Sequence, residues 1–338
     1  MYNKYDVIVV GMGPSSIFCA YELIQLKKYK KVLLIDQGKR VEERNCPIEK
    51  TKKCVHCKPM CHITNGFSGA GAFSDGKLSL YNQEDDDIYV GGNLHKYIGV
   101  EETKKLIDYT DEIYLKFGAD SNLEGTKFVE EVKELKKKAN KEGLTLIDIP
   151  IRHLGTEKAH ELYQKLEKYL EENGIDMMFE TEVKDLIVED GKIKGVKIRE
   201  ASAKKSKDTD NMQEVYADKV VIAIGRKGAN WLVDMCNKHD IKTDTGIVDI
   251  GVRYELPDEV MKDVNKYMFY PLYTNELDVK NFTLEMILLN SQNPNFEINC
   301  PLCGEKLITR IARLYDLEDN LVLRPKARCS KCPFQLID

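Results

Sequence analysis

Val7-Ile8-Val9-Val10-Gly11-Met12-Gly13-Pro14-Ser15-Ser16 is the stretch that decides the reading of this chain. Four apolar residues run straight into two closely spaced glycines. A second run, Lys31-Val32-Leu33-Leu34-Ile35-Asp36, ends on an acid 25 residues after Gly11. That is the layout of a strand, a phosphate-binding turn, a helix and a second strand with a ribose ligand at its end. Gly11 permits the sharp strand-to-helix turn, and Gly13 lets the backbone approach a pyrophosphate with no side chain between them. Ser16 stands where a third glycine is more usual and is small enough for close helix-to-strand packing. Pro14, Ser15 and Ser16 open the helix, whose free amides and dipole favour a phosphate. The Asp36 carboxylate can accept two ribose hydroxyls, which favours an unphosphorylated ribose, as in FAD or NAD rather than NADP. Gln37 and Arg40, just beyond it, are further cofactor contacts on this reading.

Working outward, the 338 residues suggest two or three structural units, and 42% hydrophobic residues are enough for a substantial core. The longest apolar runs are strand-sized, well short of the roughly 20 residues that span a bilayer. The start, Met-Tyr-Asn-Lys-Tyr-Asp, lacks a secretory hydrophobic region, so a cytoplasmic location is expected. A net charge of -5 argues against a general nucleic-acid surface, which needs clustered Lys and Arg. Lys133 to Lys141 reads as a solvated helix face.

The fold class is α/β: a Rossmann-like FAD/NAD-binding domain with an inserted helical segment and a small C-terminal four-cysteine, zinc-ribbon-like module. Residues 1–95 and 146–250 form the nucleotide domain, 96–145 the insertion, 251–290 a partial substrate or cap region and 291–338 the cysteine module. Helices are expected over Val100–Phe117, Phe128–Glu142 and Lys158–Asn173, the last closed by Gly174. A strand is expected over Leu144–Ile151. Strand-like runs Asp176–Val188 and Lys192–Glu200 meet at Asp190-Gly191, a hairpin turn pair. The polar stretch Ser202–Gln213 reads as an excursion between strands.

Three further segments, Gly66-Phe67-Ser68-Gly69-Ala70-Gly71-Ala72-Phe73-Ser74-Asp75-Gly76-Lys77-Leu78, Arg152-His153-Leu154-Gly155-Thr156 and Val220-Val221-Ile222-Ala223-Ile224-Gly225-Arg226, carry a resemblance. Together they resemble the FAD-dependent dehydrogenases of the glutathione-reductase-like superfamily, in particular its bacterial branch of FAD-utilising dehydrogenases. The resemblance covers roughly residues 5–270. It implies that the N-terminal turn holds the ADP half of FAD and that Gly69, Gly71, Ser74, Asp75, Gly76 and Lys77 lie along the pyrophosphate and flavin. It implies also that Val183 brings its backbone to the adenine, with Gly225 and Arg226 near the pyrophosphate. One departure stands out: such flavoproteins finish the FAD site with a late strand ending Gly-Asp, and nothing after residue 270 reads that way. The chain reads there as a shortened or rebuilt member.

Eight of the ten cysteines fall in two groups. Cys300-x2-Cys303 and Cys329-x2-Cys332, 25 residues apart, suit a tetrahedral zinc ion, with disulfides or inert thiols as the alternative. Cys46, Cys54, Cys57 and Cys61 could hold zinc or an iron–sulfur cluster, or stand as uncoordinated or redox-active thiols. Cys19 and Cys236 read as small buried hydrophobes.

Catalysis is expected to involve His153, as a proton donor near the flavin or a substrate anion, and Lys77, as a stabiliser of negative charge near N1 of a reduced flavin. The ordinary readings are a structural hydrogen-bonding histidine and a surface lysine. The function these residues imply is a FAD-dependent oxidoreductase acting on a small molecule or electron carrier, with NAD(P)H as a candidate electron donor. A variant keeps the dinucleotide but makes it NAD. The alternative from another class is a non-catalytic nucleotide-fold metal protein whose zinc tail recruits a partner or nucleic acid.

Overall fold

The computed structural model describes residues 4–73, 76–81, 94–125, 127–142, 144–147, 149–201, 212–243 and 262, with the strands at 272–274, 307–315, 321–329 and 335–337. The elements begin with β1 (Lys4–Val10), α1 (Pro14–Leu26), β2 (Val32–Ile35), α2 (Ile48–Thr51), β3 (Lys77–Ser79) and α3 (His95–Ile98). There follow α4 (Val100–Lys116), α5 (Val129–Lys141), β4 (Thr145–Ile147), β5 (Ile151–His153), α6 (Thr156–Glu172), β6 (Ile175–Met178) and β7 (Thr181–Glu189). The last are β8 (Lys192–Glu200), β9 (Gln213–Ile222), α7 (Ala229–Lys238), β10 (Leu272–Thr274), β11 (Leu307–Tyr315), β12 (Leu321–Cys329) and β13 (Gln335–Ile337). They fall into two compact units: residues 1–126 with 149–244, and residues 127–148 with 245–338.

The first unit is built on a six-stranded sheet in the order β6-β2-β1-β9-β8-β7. Four neighbours, β6, β2, β1 and β9, run parallel, while β8 pairs antiparallel with both β9 and β7. Strand β2 is buried along its whole length because both faces are covered, which is why it reads as a continuous apolar run rather than an alternation. Along β1 the pleat divides the side chains between two cores. Val7 and Val9 pack with Ile17 and Ala20 of α1 and Leu162, Leu166 and Leu170 of α6. Ile8 and Val10 pack with Val183, Val196 and Val215, so the β7–β8 hairpin covers the second face. Asp190 and Gly191 both take positive φ (50° and 69°), as a type I′ hairpin turn requires.

Two expected strands are broken. The run Leu144–Ile151 is two elements, β4 in the second unit and β5 in the first, with Pro150, which has no N–H to donate, immediately before β5. The run Asp176–Val188 is split into β6 and β7 at Phe179–Glu180, where Glu180 takes φ 49°. Of the two helices read within 96–145, α4 belongs to the first unit and α5 to the second. The excursion Ser202–Gln213 lies almost wholly outside the described residues.

In the second unit β4 pairs antiparallel with β10, and Leu146 packs with Val132 and Ala139 of α5. A separate three-stranded antiparallel sheet runs β11-β12-β13, with Leu307 opposite Cys329. Cys300, Cys303 and Cys332 lie outside the described residues.

A candidate dinucleotide site

The parallel strands β1, β2, β6 and β9 end side by side, and β1 has its two parallel neighbours on opposite sides, the switch point at which open α/β sheets bind ligands. Gly11 leaves β1 at φ 99° and its N–H donates to the Ile35 carbonyl at 2.7 Å. A Cβ there would run into the Ala223 carbonyl at the end of β9, so only glycine lets the two strand ends close up. Gly13 differs: no described atom lies within 4 Å of the position its Cβ would take. Pro14 is the first residue of α1, whose first turn has no acidic side chain to compete with an anion. Ser16 in that turn is fully buried, and its Oγ has no hydrogen-bond partner among the described residues.

Asp36 is bound more fully than the sequence suggests. Its Oδ1 accepts the N–H groups of Gly38 (2.7 Å) and Gly66 (2.8 Å), and its Oδ2 accepts that of Met12 (3.0 Å). One carboxylate thus ties together the glycine turn, its own loop and the second glycine-rich segment. A carboxylate offers about four acceptor positions, so one on Oδ2 is left for a ribose hydroxyl, not two full bonds. Gln37 Nε2 donates to Asn65 Oδ1 at 2.6 Å. Arg40 turns away to Glu167 (2.8 Å) and Glu171 (2.6 Å) on α6, which hold its guanidinium above its usual range, Glu171 foremost. Arg40 is therefore a brace between loop and helix.

The second glycine segment is organised by Arg44, which no sequence pattern singled out. Its buried guanidinium donates to the carbonyls of His62 (2.8 Å), Ile63 (2.7 Å), Phe67 (2.5 Å) and Gly69 (2.5 Å) and to Ser68 Oγ (3.1 Å), and it stacks over Phe73. Burial pulls its pKa down to about 10, partly opposed by the charges of Asp36, Cys61 and Glu167, so it stays protonated at neutral pH. So held, the loop brings Gly69 against the phosphate turn: a Cβ on Gly69 would lie 3.4 Å from Gly13 Cα. Gly71 sits on Tyr163, whose hydroxyl would lie 2.8 Å from a Cβ there. Tyr163 in turn shares a buried hydrogen bond of 3.0 Å with Tyr114, and burial raises both phenols.

Ser74 and Asp75 lie outside the described residues. Gly76 packs on Leu154, whose N–H donates to its carbonyl at 2.8 Å. One residue on, Lys77 of β3 stands directly opposite His153 of β5. Gly76–Leu154 and Leu80–Pro150 occupy the hydrogen-bonded positions of this ladder. Lys77 and His153 therefore form a narrow, non-hydrogen-bonded pair with both side chains on one face. Arg152 points to the opposite face, where it is buried against Asp111 in a bidentate pair (2.5 and 2.6 Å) and also bonds the Asp120 carbonyl. It is an anchor for α4 rather than a substrate contact. His153 lines a cavity of about 510 Å3, together with the two residues after it, Lys158 of α6 and Asp120, Asn122 and Glu124.

Val183 follows Thr181, whose N–H donates to the Asp36 carbonyl at 3.0 Å, and its side chain is part of the second core. Gly225 (φ 58°) has open space on its Cβ side, and Arg226 is exposed on the short 3-10 turn after it.

Spacing predicts a metal centre at Cys46, Cys54, Cys57 and Cys61; among the described residues no three His, Cys, Asp or Glu side chains gather to hold an ion. All four are free thiols, and Cys61 is turned into its own following turn. Burial there works against its thiolate, but the amides of Ile63 and Thr64, the Thr64 hydroxyl and the charge of Lys227 outweigh it and lower the pKa. Cys19 is half-buried with a raised pKa, and Cys236 is buried. No helix among the described residues is long and apolar enough to cross a membrane.

The parallel strand ends, the open Gly13 and the uncapped helix start define a Rossmann-like nucleotide-binding protein. Residues 74–253, more than half the chain, match the family model for pyridine nucleotide-disulphide oxidoreductases, and the chain belongs to that family. The match begins beyond the N-terminal turn, so that turn stands on its own geometry. An uncharacterized protein of Clostridium beijerinckii is 23% identical over 265 residues, which are 78% of this chain and 38% of that one. The chain thus spans well under half of that relative's length. Among solved structures, L-proline dehydrogenase from P. horikoshii aligns with 72% of this chain and 58% of its own, at 19% identity and a TM-score of 0.40. Glycine oxidase from Bacillus cereus aligns with 69% and 59%, at 16% identity and a TM-score of 0.37.

Proposed function

We propose that this oxidoreductase is FAD-dependent and uses the flavin to move a hydride or electrons between a small molecule and a nicotinamide nucleotide. One observation carries the reading: the Gly11–Ser16 turn, the Asp36 carboxylate and the Arg44-held Gly66–Gly69 loop are tied into one crevice at the strand ends. The first glycine turn suits the pyrophosphate at the switch point, and the second glycine-rich segment laid against it adds a surface without side chains along which an extended dinucleotide can lie. The open Cβ sides of Gly13 and Gly225 suit a close backbone approach, and the buried, unpartnered Ser16 Oγ suits a polar group added at the turn.

When bound, the flavin supplies the redox chemistry. The chain's residues divide the remaining work. Backbone amides at the start of α1 bind phosphate, and the spare acceptor of Asp36 Oδ2 takes one ribose hydroxyl. Lys77 is assigned to stabilise negative charge on the reduced ring system, and His153 beside it to hold or deliver a proton. The absorption spectrum of the purified protein tests the reading. A flavin band at about 450 nm, or its appearance with tight retention after FAD is added, supports it; failure to retain FAD, with retention of NAD instead, overturns it.

A second reading concerns the tail. β11 begins four residues after Cys303, and β12 ends on Cys329, which pairs with Leu307. In chain order one C-x2-C pair thus comes just before β11 and the other starts at the paired end of β12, an order that suits a zinc site of four cysteines. Elemental analysis should find one zinc per chain, lost in Cys329→Ser; a metal-free chain would remove this reading.

A further inference from the structure

The cavity beside His153 has a charge pattern that selects a ligand. Among its described lining residues are two carboxylates, Asp120 and Glu124, and one lysine, Lys158. Asp120 is already satisfied: Oδ1 accepts the Asn122 N–H at 3.0 Å, and Oδ2 pairs with Lys158 at 3.2 Å. Glu124 is not neutralised in this way, since among the described residues its carboxylate meets only Asn122 Nδ2, at 3.5 Å. That contact also leaves the Asn122 carbonyl as an acceptor. The backbone of Glu124 is fixed to β5 by two reciprocal bonds with Ile151, 2.8 and 3.0 Å, two residues from His153. The backbone that carries the carboxylate is thus tied to the same strand as His153, and the carboxylates of Asp120 and Glu124 and the Asn122 carbonyl supply acceptors in the wall. Within the cavity lining Lys158 is taken by Asp120 and Glu124 has no cation partner among the described residues, so an organic ammonium offers that carboxylate a charge-assisted hydrogen bond that an anion or a neutral molecule does not.

We propose that this cavity is the substrate pocket of the oxidoreductase and that it selects small primary amines, with Glu124 as the ammonium acceptor and Lys158 held back by Asp120. This rests on the reading that Lys77 and His153 mark the reacting end of the flavin site. It names the substrate class that the comparisons leave open.

The test uses the full chain labelled with 15N-histidine, the His153 resonance being assigned from its loss in His153→Asn. n-Butylamine, protonated at neutral pH, is titrated against butan-1-ol, its neutral isostere, and the flavin band is recorded on the same samples. The expected result is a saturable His153 shift with the amine, with binding weakened about tenfold or more for the alcohol and for Glu124→Gln. Equal binding of amine and alcohol, no effect of Glu124→Gln, or no His153 shift with either probe overturns the proposal. The two readings fail separately: retained flavin without amine selectivity removes only the pocket, and amine selectivity without flavin removes only the cofactor assignment.

Discussion

The two glycine-rich segments lie against each other in space but are held by different means. Gly11–Ser16 is shaped locally, by a strand ending, a bond from Gly11 to Ile35 and the start of α1. Gly66–Gly71 is shaped from a distance, by the Asp36 carboxylate, the Arg44 fork and Tyr163 beneath Gly71. The first is a property of consecutive residues; the second is a property of the fold that has already formed around it. Breaking each in turn should therefore give different failures.

The largest effect is expected at Gly11. In Gly11→Ala the new methyl meets the Ala223 carbonyl, and the residue must also hold φ 99°. Strain and overpacking together should cost at least ~3 kcal/mol. Thermal unfolding should show a loss for the whole first unit, with or without added FAD. A variant of unchanged melting temperature would mean that β1 and β9 can part without cost.

Arg44→Met comes next, and it separates the two segments. The substitution strands four carbonyls and the Ser68 hydroxyl that the guanidinium serves, at a cost of about 3–5 kcal/mol. Limited proteolysis should then open the 62–73 loop before the sheet, and any FAD affinity should fall further than stability does. Arg44→Lys should recover little, because one ammonium cannot span donors placed in a planar fork. If lysine restores both loop protection and affinity, charge alone is what the loop needs.

A smaller effect is expected at Asp36, the residue shared by both segments. Asn at this position keeps one acceptor oxygen for Gly38 and Gly66 but turns an amide toward the Met12 N–H. Losing that bond should cost about 1–2 kcal/mol. If Asp36 also holds a ribose, Asp36→Asn should weaken FAD by more than this stability loss predicts; an equal loss makes it a strut alone.

The same contrast explains what could be read from the sequence. The turn, α1, the β7–β8 hairpin and the limits of α4, α5 and α6 follow local rules of glycine placement, caps and apolar period, and the structure reproduces them within a residue or two. Arg44 sits in the polar run Glu42-Glu43-Arg44-Asn45, which reads as surface, and nothing in one dimension shows that four carbonyls will close around it. Arg40 reads as a cofactor contact because it follows the acid at the end of β2, yet its partners are 127 and 131 residues away. Spacing brings Cys46 to Cys61 close along the chain but says nothing of where each sulfur points, and Cys61 is met by the amides of Ile63 and Thr64 in its own following turn. Lys77 and His153 stand out separately in the sequence, and only the β3–β5 register makes them a pair.

The finest probe of the comparison is Cys61, because its thiol reads the shape of the Arg44-held loop without touching the sheet. The amides of Ile63 and Thr64 that lower its pKa belong to the stretch whose carbonyls Arg44 binds. A lowered thiol pKa means that thiolate is present at a pH where an ordinary cysteine is still protonated, so alkylation should begin at lower pH. The iodoacetamide rate at Cys61, followed by peptide mapping, should therefore rise at lower pH than that of free N-acetylcysteine under the same conditions. In Arg44→Met the amides lose their fixed direction, and the rise at Cys61 should move to higher pH while the sheet remains folded. A rise at Cys61 no earlier than that of the free thiol in the wild-type chain would show that the loop is not held tightly enough to orient its own amides, and the second segment would then owe its place to the bound cofactor rather than to Arg44.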